Sequence, residues 1–305
     1  MAPPHQHLSQ KAELHLHLEG SLEPATLKEF DPALTDEEIA ARYRYRDFPQ
    51  FIESYLWAIQ HLNRPEDYAQ AARRLLERLE RENIMYAEIT LSAAVIPWRK
   101  QDLCATYEAI WDECLRSRVT ARWVWDSVRQ WGVEPAQRTV ETAAKYVDRG
   151  VVAFGIGGNE QLGPVEWFGD VFRYARDHGM RLTVHAGETA GPESVRGAIC
   201  LGAERIGHGI RSIDDPELVA ELRDRAIPLE ICISSNLATG AVARLEEHPV
   251  RRLYDAGVPI VLGTDDPAMF HTDLEHEYDL ARTRFGFTDD ELNGIAANAW
   301  KYRFV

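Results

Sequence analysis

The chain has 305 residues, 45% hydrophobic and 27% charged, a composition that suits a soluble protein with a large buried core. A formal net charge of -15, spread along the sequence, argues against a nucleic-acid partner, which needs a basic surface to release counterions. Cys104, Cys114, Cys200 and Cys232 show no CxxC spacing, so neither a disulfide framework nor a thiolate zinc site is expected.

Residues 1–10, MAPPHQHLSQ, lack the apolar stretch of a secretory signal, and no run in the chain approaches the length of a membrane span, which points to the cytoplasm. This lead-in is polar and expected to be mobile, and its His5 and His7 have no strand around them. Strand character begins at KAELHLHLEG, where His15 and His17 alternate with apolar residues. Residues i and i+2 of a strand share a face, so the two imidazoles project together from Cα atoms roughly 6.6 Å apart, within reach of one metal ion. Residues 21–64 follow, with helical pieces at 24–30, 36–42 and 48–62. That excursion is too long for a simple connection and is expected to form a lid or pocket wall. Its aromatic stretch FIESYLWAIQHL suits either a pocket cap or the core.

From Pro65 a helix is plain, with Glu66 and Asp67 at its positive end and Tyr68, Ala72, Leu75, Leu76 and Leu79 on one face. It leads to a strand over 84–92. Helix 102–118 then precedes a strand over 121–128, helix 135–149 precedes VVAFGIGG, and helix 166–178 precedes RLTVHAGE. A short helix over 192–201 precedes ERIGHGI, a helix from Asp214 and Pro216 to 225 precedes PLEICISSN, and helix 248–256 precedes PIVLGTDDP. Gly150, Gly179 and Gly257 stop the helices before them, and residues 273–285 and 288 onward read as helical.

Eight apolar, β-branched strands alternating with helices indicate a parallel α/β fold, a TIM (β/α)8 barrel with extra helices inserted after the first strand. No linker interrupts the composition, so residues 1–305 read as one domain. Such barrels keep their active sites at the C-terminal ends of the strands. Those ends collect His15 and His17 from the first strand, His185 and Glu188 from the fifth, His208 from the sixth, and Asp265 and Asp266 from the eighth. Random placement would not put four of eleven histidines at equivalent positions. Three imidazoles and a carboxylate suit zinc, and ferrous iron or manganese accept the same donors. His15, His17, His185 and Asp265 are assigned to the metal. His208 fits either a histidine bonded within its GHG turn or a catalytic group that the flanking glycines leave open to a substrate.

Other polar features carry less. GIGGNE has Glu160 where a GxGxxG loop needs its third glycine, so no dinucleotide cofactor is implied. His271 and His276 fall on a polar helix start where solvent is explanation enough, and His61, His178 and His248 lie near helix ends, where dipole or solvent accounts for them.

The motifs HLHLEGSLEP, GIGGNE, HAGE, RIGHG, SSN and GTDDP, in this order across nearly the whole chain, resemble the adenosine deaminase family of the amidohydrolase superfamily. The resemblance implies a metal-dependent hydrolase in which His15, His17, His185 and Asp265 hold zinc and the cation lowers the pKa of a water to roughly 7. It further implies that His208 and Asp265 orient and deprotonate that water for attack on C6 of an aminopurine, and that Glu188 protonates N1. Glu188 must then stay a carboxylic acid, which a poorly solvated pocket would ensure. Asp266 is expected to bond N7 and the Gly158 backbone N–H to reach N3. The H-x-E…P-C-x-x-C site of other zinc deaminases is absent from the sequence.

Family members acting on adenosine usually carry Asp where this chain has Glu19, at the contact to the sugar 5′-hydroxyl, so the ligand's 5′ end is expected to differ. TLSAAVIPWRKQD (90–102) and DSVRQWG (126–132) are similar to bacterial 6-aminodeoxyfutalosine deaminases of the alternative menaquinone route. That substrate carries a benzoate beyond the ribose, and its carboxylate calls for a cation. Arg129 is expected either to be that partner or to be a loop arginine paired with surface acid, and Ser92 and Trp98 are expected to line the pocket. The competing readings are an adenosine or adenine deaminase with the same site, a metal-dependent hydrolase of another bond, and a barrel without catalysis. The expected partner is a small aminopurine nucleoside, with no nucleic acid, membrane or protein partner.

Overall fold

The structure, a computed structural model, describes residues 11–305, so the lead-in with His5 and His7 lies outside the described residues. The elements run β1 (Lys11–His17), α1 (Pro24–Phe30), α2 (Asp36–Arg42), α3 (Phe48–Ile59), α4 (Pro65–Arg81), β2 (Ile84–Leu91), α5 (Val95–Trp98), α6 (Leu103–Cys114) and β3 (Thr120–Val128). They continue as α7 (Val133–Ala143), β4 (Val151–Gly157), α8 (Gly169–Asp177), β5 (Arg181–Ala186), α9 (Pro192–Cys200), β6 (Arg205–His208), α10 (Pro216–Asp224) and β7 (Leu229–Ile231). The last are α11 (Ile233–Ala238), α12 (Val250–Asp255), β8 (Ile260–Leu262), α13 (Leu274–Phe285) and α14 (Asp289–Tyr302).

Side-chain caps define many helix starts. Thr35 and Glu38 form a capping box on α2, Thr288 and Glu291 another on α14, and the Asp47, Asp102, Asp215 and Asp273 carboxylates accept first-turn amides. Several expected boundaries move: helix 48–62 ends at Ile59, helix 102–118 at Cys114, and helix 166–178 is α-helical only from Gly169. The helix over 135–149 is α-helical only to Ala143 and finishes as a 3-10 turn over Ala144–Arg149. PLEICISSN is not one strand, because β7 ends at Ile231 and the SSN residues ride on α11. The break has a local cause: the buried Glu277 carboxylate accepts the Ile233 and Ser234 amides at 2.9 and 3.3 Å, which starts a helix there.

All eight strands pair in parallel in the order β1 to β8. The ends of the sheet meet through a single Leu16–Asp265 bridge, in which the His17 amide donates to the Asp265 carbonyl at 2.7 Å and the Asp265 amide to the His15 carbonyl at 2.9 Å. The molecule is therefore a TIM barrel. Outward-facing strand residues such as Ile89, Leu91, Trp123 and Trp125 share one buried cluster with Tyr68, Leu75 and Leu76 of α4 and Tyr107 and Ile110 of α6. Removal of this apolar area from water is the main stabilising term, worth roughly 1.5–3 kcal/mol per fully buried large side chain.

The barrel floor is polar instead. Fully buried Arg205 donates to Glu88 and Glu230 at 2.5 Å each and to the Tyr302 carbonyl at 2.9 Å, while the Phe304 ring lies 3.7 Å from its guanidinium carbon. A buried guanidinium is tolerated only when its donors are matched in this way. Among the described residues no helix is long and apolar enough to cross a membrane.

Candidate active site

The parallel barrel directs the ends of β1, β5, β6 and β8 to one mouth, and the polar residues found there in the sequence converge. Donor atoms of His15, His17, His185 and Asp265 all lie within 4.8 Å of one another. His17 Nε2 is 3.2 Å from His185 Nε2 and 3.3 Å from Asp265 Oδ1, and His15 Nε2 is 3.4 Å from the same oxygen. Ligands on a tetrahedron with bonds of about 2.0 Å stand about 3.3 Å apart, so the spacing is that of a coordination shell. His15 Nε2 is buried without a hydrogen-bond partner, an orphaned nitrogen that a cation, in place of a proton, would satisfy. The four residues therefore fit a divalent metal.

Their surroundings hold them in place. His15 Nδ1 lies 2.7 Å from Glu230 Oε2, the outer-sphere carboxylate that fixes a ligating imidazole's tautomer. Burial opposes ionisation of Glu230, but the Arg205 guanidinium and His15 beside it prevail and pull its carboxyl down to about 2. Burial alone would depress His15, and the flanking Asp265 and Glu230 carboxylates reverse that to raise it to about 10. Burial dominates elsewhere, lowering His17 to about 4 and His185 well below the usual imidazole range, which keeps both rings neutral and able to ligate. Asp265 sits at φ 63°, a conformation uncommon outside glycine, and its Oδ2 accepts from Ser235 Oγ at 2.6 Å.

Glu188 faces this cluster. Burial, then the Asp265 and Glu160 charges, push its carboxyl well above the ordinary range, which favours the protonated acid. Its loop is pinned by Glu160, whose carboxylate accepts the Gly187, Glu188 and Thr189 amides at 2.7, 2.9 and 2.9 Å and Ser194 Oγ at 2.6 Å. The last residue of GIGGNE is thus a brace for HAGE. His208, also left-handed at φ 62°, places Nε2 3.7 Å from Glu188 Oε2 and 3.8 Å from Asp265 Oδ2. Its Nδ1 is not spent on the GHG turn and lies 3.0 Å from Asn236 Nδ2. His248, expected to answer to dipole or solvent, is instead buried with Nε2 3.1 Å from Asn236 Oδ1. His271 and His276 are exposed as expected, and the Nδ1 atoms of His61 and His178 lie 3.1 and 2.8 Å from carbonyls of the preceding helical turns.

A cavity of about 230 Å³ leads from the cluster to the surface. His17, His185, Glu188, His208, Asp265 and Asp266 form its base, and Phe48, Phe51, Ile52, Tyr55 and Leu56 of α3 form one wall. That helix is both cap and core, since Phe51 also belongs to the main buried cluster. Asp266 Oδ1 is buried without a partner, and it fits only because residue 20 is glycine: a Cβ there would come 1.7 Å from that oxygen. Gly158, at φ 95°, also lines the cavity, and its left-handed backbone is one that glycine adopts freely. Ser92 bonds Tyr55 across 2.9 Å, and the rings of Trp98 and Trp131 stack with centroids 5.1 Å apart at the rim.

Two expected pocket residues are elsewhere. Arg129 is fully buried and donates to the Gly163 and His185 carbonyls, because the chain turns into a 3-10 segment at this residue and carries the side chain away from the cavity. It is neither the pocket's cation nor a surface pair, and no Lys or Arg is found among the described cavity-lining residues. Glu19 lies behind the wall, its Oε1 accepting the Ser92 amide at 3.1 Å. Sequence reasoning missed Asp126, a cavity residue whose Oδ1 is buried without a partner, along with Glu230, Asn236 and the bracing role of Glu160. A lone glutamate inside the apolar strand PLEICI was the signal available for Glu230.

A family model described as adenosine deaminase matches residues 10–305. Aminodeoxyfutalosine deaminase of Streptomyces avermitilis is 38% identical over 97% of this chain and 86% of its own. Adenine deaminase of Rhizobium leguminosarum bv. trifolii is 34% identical over 97% and 95%. The crystal structure of adenine deaminase from Arthrobacter aurescens superposes with a TM-score of 0.89 at 26% identity, covering 97% of this chain and 94% of that one. An amidohydrolase from Burkholderia ambifaria with bound zinc gives 0.87 at 26% identity over 97% and 86%.

Proposed function

The chain belongs to the adenosine deaminase family, hydrolases of carbon–nitrogen bonds, and we propose that this purine deaminase acts on 6-aminodeoxyfutalosine, on the futalosine route to menaquinone. One observation carries the choice of substrate. The two stretches similar to aminodeoxyfutalosine deaminases, 90–102 and 126–132, are far apart in sequence yet meet along the cavity wall, contributing Ser92, Val95 and Trp98 from one and Asp126, Val128, Gln130 and Trp131 from the other. They build an aromatic extension that free adenine would leave empty and that an aryl group beyond a ribose would fill. With no lysine or arginine among the lining residues described, the benzoate carboxylate is read as lying at the open end, in water.

A divalent cation on His15, His17, His185 and Asp265 would supply a water of lowered pKa, and zinc suits these donors, with ferrous iron and manganese compatible. In this reading Glu188 gives its proton to N1 as oxygen adds at C6. Asp266 holds N7, the Gly158 amide holds N3, and His208 and Asp265 flank the incoming oxygen. Departure of ammonia then leaves the 6-oxo purine. Ser92, Tyr55 and Asp126 replace Glu19 as the groups read to meet sugar hydroxyls, since they and not Glu19 line the cavity. Four free cysteines suit work in a reducing cytoplasm.

The competing reading is adenine deaminase, favoured by relatives at 34–36% identity. Comparison of kcat/KM for aminodeoxyfutalosine, adenosine and adenine decides between them, and a clear preference for adenine would overturn the proposed substrate.

A further inference from the structure

The side chain behind His208 is part of a chain of buried hydrogen bonds whose polarity can be worked out from one end. The Val250 amide donates to His248 Nδ1 at 3.2 Å. An amide nitrogen can only donate, so Nδ1 is an acceptor and the His248 proton is on Nε2. That N–H meets Asn236 across 3.1 Å and requires the amide oxygen there. Asn236 therefore turns its NH2 toward His208 Nδ1, 3.0 Å away, and the His208 proton is left on Nε2. The opposite orientation of Asn236 would set donor against donor at His248, in a place where Asn236 and His248 are both buried and no solvent relieves the conflict.

We infer that Asn236 and His248 are positioning residues that hold His208 as its Nε2–H tautomer, so that His208 meets the reacting atoms as a hydrogen-bond donor and, against the expectation from sequence, leaves removal of the water proton to Asp265. Its Nε2 lies between Glu188 Oε2 at 3.7 Å and Asp265 Oδ2 at 3.8 Å. The inference rests on the proposed deamination for its purpose: the oxygen that adds to C6 must first give up a proton and so gains negative charge, and a fixed N–H aimed at it stabilises that charge and orients the attack. The relay is built for rigidity. Asn236 sits on α11, the helix that Glu277 starts, and the Asn236 carbonyl in turn accepts the Val242 amide at 2.8 Å.

The test uses zinc-loaded enzyme with 15N-labelled histidine, the His208 resonances being identified by their loss in His208→Asn. A pyrrole-type Nε2 and a pyridine-type Nδ1 are expected in the unaltered protein. Asn236→Asp offers only acceptors, so the proton should move to Nδ1 and kcat should fall roughly 10–100-fold, with KM and zinc content held. His248→Leu should also lose kcat, while His248→Gln, which keeps an N–H donor for Asn236, should recover most of it together with the original tautomer. A proton on Nδ1 in the unaltered enzyme overturns the inference, as does a loss of kcat in Asn236→Asp with the tautomer unchanged. If the tautomer is as expected and no aminopurine is turned over, the relay stands and the proposed function falls.

Discussion

Glu230 Oε2 lies 2.7 Å from His15 Nδ1 and so ties the metal cluster to the charged floor of the barrel through Arg205. Glu230→Gln removes the negative charge but keeps the shape, so the imidazole loses basicity and its orientation loosens. Zinc affinity in competition with a chelator should drop by roughly 10–100-fold. Removal of the metal should abolish activity, and zinc should restore it.

Glu188→Gln should lower kcat by about two to four orders of magnitude with zinc content unchanged, because an amide cannot hand a proton to N1. The pH dependence follows from the direction of the shift. Burial raises the Glu188 carboxyl, and the protonated form is the active one, so activity persists well above the ordinary carboxylate range and declines as pH rises through the raised value. A kcat profile that instead rose steadily through that region would rule out Glu188 as the acid.

Trp98 is 59% exposed and stacks on Trp131 at the rim of the cavity, a flat face open to an aryl group. Trp98→Ala should cut kcat/KM for aminodeoxyfutalosine by about threefold to tenfold, the worth of an aromatic contact, and leave adenine turnover unchanged. Equal losses on both substrates would place Trp98 in scaffolding.

Phe304 packs on Arg205 and joins Val124 and Ala153 inside the floor. Phe304→Ala should destabilise the protein by about 3–5 kcal/mol in urea unfolding, since it opens a void and uncovers a buried guanidinium. A loss below about 1 kcal/mol would mean that the floor collapses without harm.

Much of the fold was legible because strands buried on both faces read as unbroken apolar runs, and the clustered histidines and Asp265 stood out as polar intrusions at their ends. Residues whose meaning depends on a neighbour were hidden. Arg129 was misplaced because its direction is set by where β3 gives way to a 3-10 turn, a boundary that periodicity does not resolve. Periodicity places Asn236 in a strand, and its link to His248 exists only because α11 begins at Ile233. Glu88, Arg205 and Glu230 lie within strands, where a charge signals a partner without saying which.

The hem of the barrel, the Leu16–Asp265 bridge, is sewn by the same residue whose carboxylate belongs to the candidate metal cluster. Asp265 thus serves two masters, tube closure through its main chain and coordination through its side chain. An inactive Asp265→Val protein would be ambiguous, since a branched residue resists the φ of 63° and would fray the join as well as empty the ligand position. Asparagine tolerates that backbone, so Asp265→Asn isolates the chemical duty from the architectural one.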